Sequence, residues 1–493
     1  MTTWHNDVQR TGQNQKETTL NLSNVNSSSF GKLNLLKTDG KVDAMPLYLS
    51  DLTVMGKKRN VVFVASEHGT VYAYDADTGS QLWTVTTLAP GETQSGDHGC
   101  GQISPEIGIT STPVIDRSMG SNGIIYVVAM SKEPTGKYHQ RLHALDVTTG
   151  AELLGGPTEI TATYPNANGT LTFNASSYAE RAALLLLNGN IYTGWTSHCD
   201  QGDYNGWVLA YSTSTLKQSA VLNLTPNGSE GSIWMSGAGM AADSSNNIYF
   251  LDANGTFDTN LDANGFPKNK DFGNAFIKLS SSVGLSVADY FETFNTVQQS
   301  NADEDLGSGG ALVIPDQTDS SGNIQKLVVG AGKDGNIYLL NRDNMGKYDP
   351  SKNNIYQELS NLLGAGEFAA PAYFNGILYY GAVGQKLKAI PFHAGKLTTS
   401  PSSETANNFK YPGTTPSISA DGNSNAIVWA VENTEPAVLH AYSAADLGKE
   451  LYNSSQSGSR DQFAHNKFIT PMIAGGKVFV GTPTGVVVFG LLK

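Results

Sequence analysis

VVFVASEHGTVYAYDADTGSQLW, residues 61–83, is the stretch whose reading decides the fold. Val62, Val64, Val71, Ala73 and Leu82 set β-forming residues at strand spacing, and His68-Gly69 makes a tight reversal between two strands. Asp75-Ala76-Asp77-Thr78-Gly79 then closes the unit with side-chain-capped turn chemistry. Two strands and a turn cannot bury their own apolar face, so the unit needs neighbours like itself. Trp83, just beyond Gly79, offers a large ring to dock on such a neighbour.

The unit recurs. Thr112-Pro113-Val114-Ile115 leads into Gly123-Ile124-Ile125-Tyr126 and then residues 143–150, HALDVTTG. Further copies are marked by residues 182–192, 239–250, 309–342, 371–390, 416–442 and 471–489. The last copy lacks its outermost strand, while FGKLNLL at 30–36 has strand character and no strands before it. The early strand completes the final unit. The pattern predicts an all-β chain forming an eight-bladed β-propeller over residues 30–493, preceded by an extension at 1–29, and ring closure removes the open edges that an unclosed stack would expose. An open β-solenoid would call for shorter and more uniform repeats. The irregular stretches 89–107, 164–180, 254–273 and 298–307 become loops on the faces, where binding groups are expected.

Composition agrees with many short strands: 53 glycines and 21 tyrosines in 493 residues, with 15% charged. A net charge of −13 argues against nucleic acid, which requires a clustered basic face. No run approaches the roughly 18–20 apolar residues of a membrane-spanning helix. Met1 is followed directly by polar TTWHND, without a positively charged start and apolar core, so no signal peptide is expected within this sequence. Cys100 and Cys199 allow one disulfide in an oxidising compartment or two free thiols.

AYDADTGSQLW at 73–83, its twin ALDVTTGAELL at 144–154, and GNIYLLNRDNMG at 335–346 resemble the repeats of the pyrroloquinoline-quinone (PQQ) quinoprotein propeller superfamily, along nearly the whole chain. Likeness to its PQQ-dependent alcohol dehydrogenases implies PQQ and calcium (Ca2+) as cofactors. Trp234 in SIWM would be the floor beneath the quinone, and Asn254 in LDANGT a calcium ligand. Asp303 or Asp305 in NADEDL would be the base that takes the alcohol proton, although the family's tryptophan is missing from this segment. Asp200 or Asp203 in TSHCDQGD would join Asn254 on calcium, which takes several hard oxygen ligands. Lys333 matches a basic cofactor contact, and Glu106, which leads into the second copy as Glu367 leads into the sixth, is placed at the channel mouth as a further cofactor contact.

The chain departs from the family at Gly99-Cys100-Gly101, where adjacent cysteines are common, so a vicinal disulfide is impossible. A single Cys100–Cys199 disulfide pinning the loops of copies two and three is expected instead. No CxxCH is present for covalent haem. His98 and His198, beside Asp97, form a competing constellation for a transition metal or for acid–base work in a polysaccharide lyase or hydrolase. The expectation is a monomeric, secreted or periplasmic oxidoreductase acting on a small alcohol or carbohydrate. The alternatives are a non-catalytic propeller that binds a glycan or protein, and the histidine-based lyase or hydrolase.

Overall fold

The computed structural model describes residues 1–493. Apart from one short α-helix, Thr296–Asn301, and a few 3-10 turns, its regular structure is β. Eight antiparallel sheets form the blades of a propeller. The first consists of Leu47–Val54, Lys57–Ala65, Thr70–Asp75 and Gln81–Thr86, and the stretch that announced the repeat supplies the whole third strand and parts of the second and fourth.

The turn chemistry operates as its residues dictate. Asp75 Oδ1 accepts the backbone N–H groups of Asp77 and Thr78, each at 3.0 Å, and Gly79 takes the left-handed φ of +73° that closes the turn. Asp146 repeats this in the second blade, bonding Thr148 and Thr149 at 2.8 and 3.0 Å. Trp83 docks on that neighbour, donating from Nε1 to the carbonyl of Val147 at 3.1 Å. A Cβ added at Gly150 would stand 2.7 Å from Cε3 of Trp83, so this glycine is demanded both by its turn and by the ring lying on it.

Closure follows the predicted route. Phe30–Lys37 pairs antiparallel with Gly485–Leu491, from Phe30 opposite Leu491 to Lys37 opposite Gly485, and completes the eighth blade. Between blades the apolar faces merge into a core cluster of 57 buried residues, with further clusters filling the remaining interfaces.

The residues before that strand bind the ring together from inside. The amino group of Met1 donates to Tyr48 O of blade one at 2.9 Å, and Thr2 O accepts from Ile115 of blade two at 2.8 Å. Arg10 reaches Leu184 O of blade three at 3.2 Å and Met240 O, leading into blade four, at 2.8 Å. The carbonyls of Gln9, Thr11 and Gly12 accept from Val313, Tyr373 and Ile418, on the innermost strands of blades five, six and seven. Trp4 Nε1 meets Thr470 Oγ1, beside blade eight, at 3.3 Å. The unpaired edges of the inner strands would otherwise leave buried peptide groups unsatisfied, and this segment satisfies them and blocks the central channel. No helix is long and apolar enough to cross a membrane.

Candidate functional site

Segments leading into the inner strands and the loops between blades converge over the blocked channel on a cavity of about 240 Å³. Cys100 and Cys199 form the expected disulfide, with Cα atoms 5.5 Å apart, and it lines this cavity. Trp234, Asp200, Asp303, Asp305, Lys333 and His198 line it as well. A smaller hollow shares Gln102, Ile103 and Arg181 with it and reaches Trp4 of the N-terminal segment.

Several residues at and beside the cavity have strained backbone. His98, Cys199, Asp200, Met235, Ser236 and Asp303 all have left-handed φ between 37° and 60°, a conformation that side chains other than glycine resist. Such strain persists where surrounding structure enforces it, and it clusters at sites that must present groups in set directions. The 3-10 turn Met235–Gly237 that presents half-buried Trp234 is clamped by Ser236 Oγ donating to Ser308 O at 2.6 Å.

One wall is a polar knot. Lys333 Nζ lies 2.6 Å from Asp303 Oδ1 and 2.8 Å from Asp305 Oδ2. Asn254 donates from its backbone to Asp305 Oδ1 at 2.8 Å and from Nδ2 to Asp303 Oδ1 at 2.9 Å. Burial pushes the Asp305 carboxyl above its ordinary value, with Lys333 pulling it back. Burial alone would lower Lys333, but Asp305 and Asp303 outweigh it and hold the ammonium above its usual value. The two aspartates are not equivalent. Both oxygens of Asp305 are engaged and its side chain is 7% exposed, whereas that of Asp303 is 71% exposed with Oδ2 free of protein partners. Asn254 Oδ1 is buried without a hydrogen-bond partner. Glu230 is pushed up by burial and then by Asp200, Asp305 and Asp303, a concentration of negative charge on this side.

The other sequence candidates are placed differently. Asp200 Oδ1 is tied to Ser197 Oγ at 2.9 Å and to the Tyr204 hydroxyl at 2.5 Å. Asp203 is exposed and does not line the cavity. Glu106 pairs with His68 Nδ1 at 3.1 Å and borders a separate surface hollow. Glu367 lies behind Phe368 with both carboxylate oxygens buried and unpartnered, and burial pushes it up to about 8. The rings of His98 and His198 stack at 3.9 Å and 5°. Burial lowers both, His198 to about 4.

The cavity also contains groups that the sequence reading did not single out. Arg181, Phe368 and Tyr411 line it, and Phe468 joins them in the adjoining hollow. They come from blades three, six, seven and eight, each from the segment leading into or flanking an inner strand, and no local motif connects them. The recurring position just before each first strand was the available signal.

A family profile described as outer membrane protein assembly factor BamB matches residues 4–153. No curated protein matches the chain in sequence. Among solved structures, a quinohemoprotein alcohol dehydrogenase from Pseudomonas putida HK5 superposes with a TM-score of 0.61 at 14% identity, over 99% of this chain and 80% of that one. BamB from Moraxella catarrhalis superposes with a TM-score of 0.53 at 13% identity, over 94% of this chain and 98% of that one. At these identities the likeness is one of fold.

Proposed function

Starting from a chain that folds as a PQQ-repeat β-propeller, we propose that it is an exported oxidoreductase that oxidises an alcohol or sugar using PQQ and calcium held over the blocked channel. The observation that carries the reading is the convergence of Trp234, Asp303 and Lys333, from blades four and five and the loop between them, on one cavity beside the Cys100–Cys199 disulfide, with Asn254 bonded to Asp303 just behind its wall. The donor set is compatible with the cofactors. Asn254 Oδ1 is a buried, unsatisfied amide oxygen next to an exposed carboxylate, and calcium takes such hard oxygens, six to eight in all. Asn254 would hold the ion through Oδ1, and oxygens of a bound quinone would supply part of its remaining shell. Trp234 and the disulfide would flank the flat ring system.

When bound, PQQ accepts the hydride that leaves the alcohol carbon. The chain's own contribution is the proton. Asp303 Oδ2 takes it from the substrate hydroxyl, while Lys333 and Asn254 hold Oδ1 and orient the carboxylate. Asp305, buried with both oxygens occupied, positions Lys333 and the backbone of Asn254. The disulfide supports an oxidising compartment, secreted or periplasmic.

A propeller that only binds a protein or glycan is the second reading, favoured by the assembly-factor profile over residues 4–153. The histidine-based reading has less support, because the two rings are stacked on each other and His198 Nε2 is buried without a partner. Titration of the purified protein with PQQ and calcium, followed by absorbance and dye-linked alcohol oxidation, separates the readings. Saturable uptake that is lost in Trp234→Ala is expected, and the absence of any uptake by the wild type would leave the binding propeller.

A further inference from the structure

Arg181 is 8% exposed, yet it has no carboxylate or carbonyl partner within bonding distance. The contrast with other largely buried arginines is informative. Arg10 is saturated by Thr3, Trp4, Leu184 and Met240, Arg141 pairs with Glu92, and Arg342 with Asp243. A guanidinium so far removed from water ordinarily has an anion against it. The acids near Arg181 do not serve. Asp43 is taken by Lys41 at 2.9 Å, and Glu67 Oε2 is engaged by Gly108 N at 2.9 Å and Thr110 Oγ1 at 3.0 Å, with no contact to the guanidinium. Lys467 adds positive charge on the same side, and its own value is lowered by burial and by repulsion from Lys41 and Arg181.

Aromatic rings frame this charge. The guanidinium carbon lies 5.1 Å from the ring centre of Trp234 and 4.4 Å from that of Phe468. The frame continues through Tyr411, 5.9 Å from Phe468, and Phe368, 5.6 Å from Tyr411, back to Trp234 at 6.0 Å. The rings flank the guanidinium without using its N–H donors, and Arg181 lines both the cavity and the adjoining hollow. A planar fork of donors matches a carboxylate bidentately, and the surrounding rings suit the flat or ring-shaped body that bears it.

We infer that the cavity takes a small organic acid, a carboxylate on a cyclic body, with the carboxylate on Arg181 between Trp234 and Phe468. If the proposed oxidation holds, the substrate is then a hydroxy acid whose hydroxyl faces Asp303, which lines the same cavity. That second clause rests on the proposed function, and the carboxylate site does not.

The test uses a matched pair, 4-(hydroxymethyl)benzoate and 1,4-benzenedimethanol, which differ in carboxylate against neutral hydroxymethyl. Calorimetric titration of the cofactor-free protein should show the acid binding about tenfold or more tighter. Arg181→Gln should bring the two ligands to within about twofold of each other, and Arg181→Lys should retain part of the preference. Equal binding of the pair by wild-type protein overturns the inference without any variant, as does a preference that survives in Arg181→Gln. A parallel PQQ titration distinguishes the sources of the carboxylate. Loss of PQQ uptake in Arg181→Gln, with no preference for the benzoate, would assign the arginine to the cofactor and refute the inference while sparing the proposed function. Preference for the benzoate in a protein that takes up no PQQ would support the inference and sink the proposed function.

Discussion

Replacing Lys333 with methionine gives the sharpest test of the polar knot. Its ammonium bridges Asp303 and Asp305 at 2.6 and 2.8 Å, with side-chain exposure of 18% for the lysine and 7% for Asp305. Removing one partner of a buried pair costs about 3–5 kcal/mol, because the other charge is left in a poorly solvated place. The ammonium retains some contact with water, so the expected loss is nearer 2–3 kcal/mol at pH 7. The effect depends on pH with a definite sign. The folded-state carboxyl of Asp305 is already raised, and without Lys333 it is raised further. The penalty is therefore absent below the unfolded value, about 3.9, and grows as pH rises to the new folded value. Urea unfolding at pH 4 and pH 7 should show the deficit of Lys333→Met mainly at pH 7. Asp305→Asn in the same chain removes the stranded charge and should recover all but about 1 kcal/mol. A loss below about 1 kcal/mol, a deficit independent of pH, or no recovery in the double variant would refute the assignment of Asp305 as the buried partner.

Arg10→Met should destabilise by about 3–5 kcal/mol in urea unfolding, since it orphans carbonyls of blades three and four together with the Thr3 hydroxyl and the Trp4 carbonyl. Replacing Cys100 and Cys199 with serine should lower stability by about 2–4 kcal/mol, measured the same way under non-reducing conditions. His440 lies between Glu432 at 3.2 Å and Glu450 at 2.7 Å; burial lowers its value, but the two carboxylates outweigh this and raise it. Its contribution is complete below about 6.5 and is lost as pH rises through the higher folded value, so the deficit of His440→Gln should be about 1–2 kcal/mol at pH 6 and smaller at pH 9.

The blades were legible because each is written in contiguous residues. Strand alternation, the Asp75 and Asp146 turns and the glycines at 79 and 150 act over a few positions, and the missing strand of the last unit pointed to residues 30–36. The N-terminal segment was not legible in the same way. Read alone, residues 1–12 are short and polar, and their partners are carbonyls and N–H groups on separate blades that no spacing announces.

The cavity divides along the same line. Trp234, Asn254, Asp303, Asp305 and Lys333 sit in motifs that a family likeness could mark; the structure sets four of them around one space and Asn254 behind Asp303. It also decides between neighbours, leaving Asp303 open and closing Asp305, through burial that a local motif does not encode. Arg181, Phe368, Tyr411 and Phe468 meet only because ring closure sets blades three, six, seven and eight about one axis. Backbone hydrogen bonding and side-chain alternation are short-range, so sequence alone determined the repeating unit and its closure. Charge, burial and aromatic contact across the mouth are long-range consequences of that closure, and the tertiary structure alone decided them.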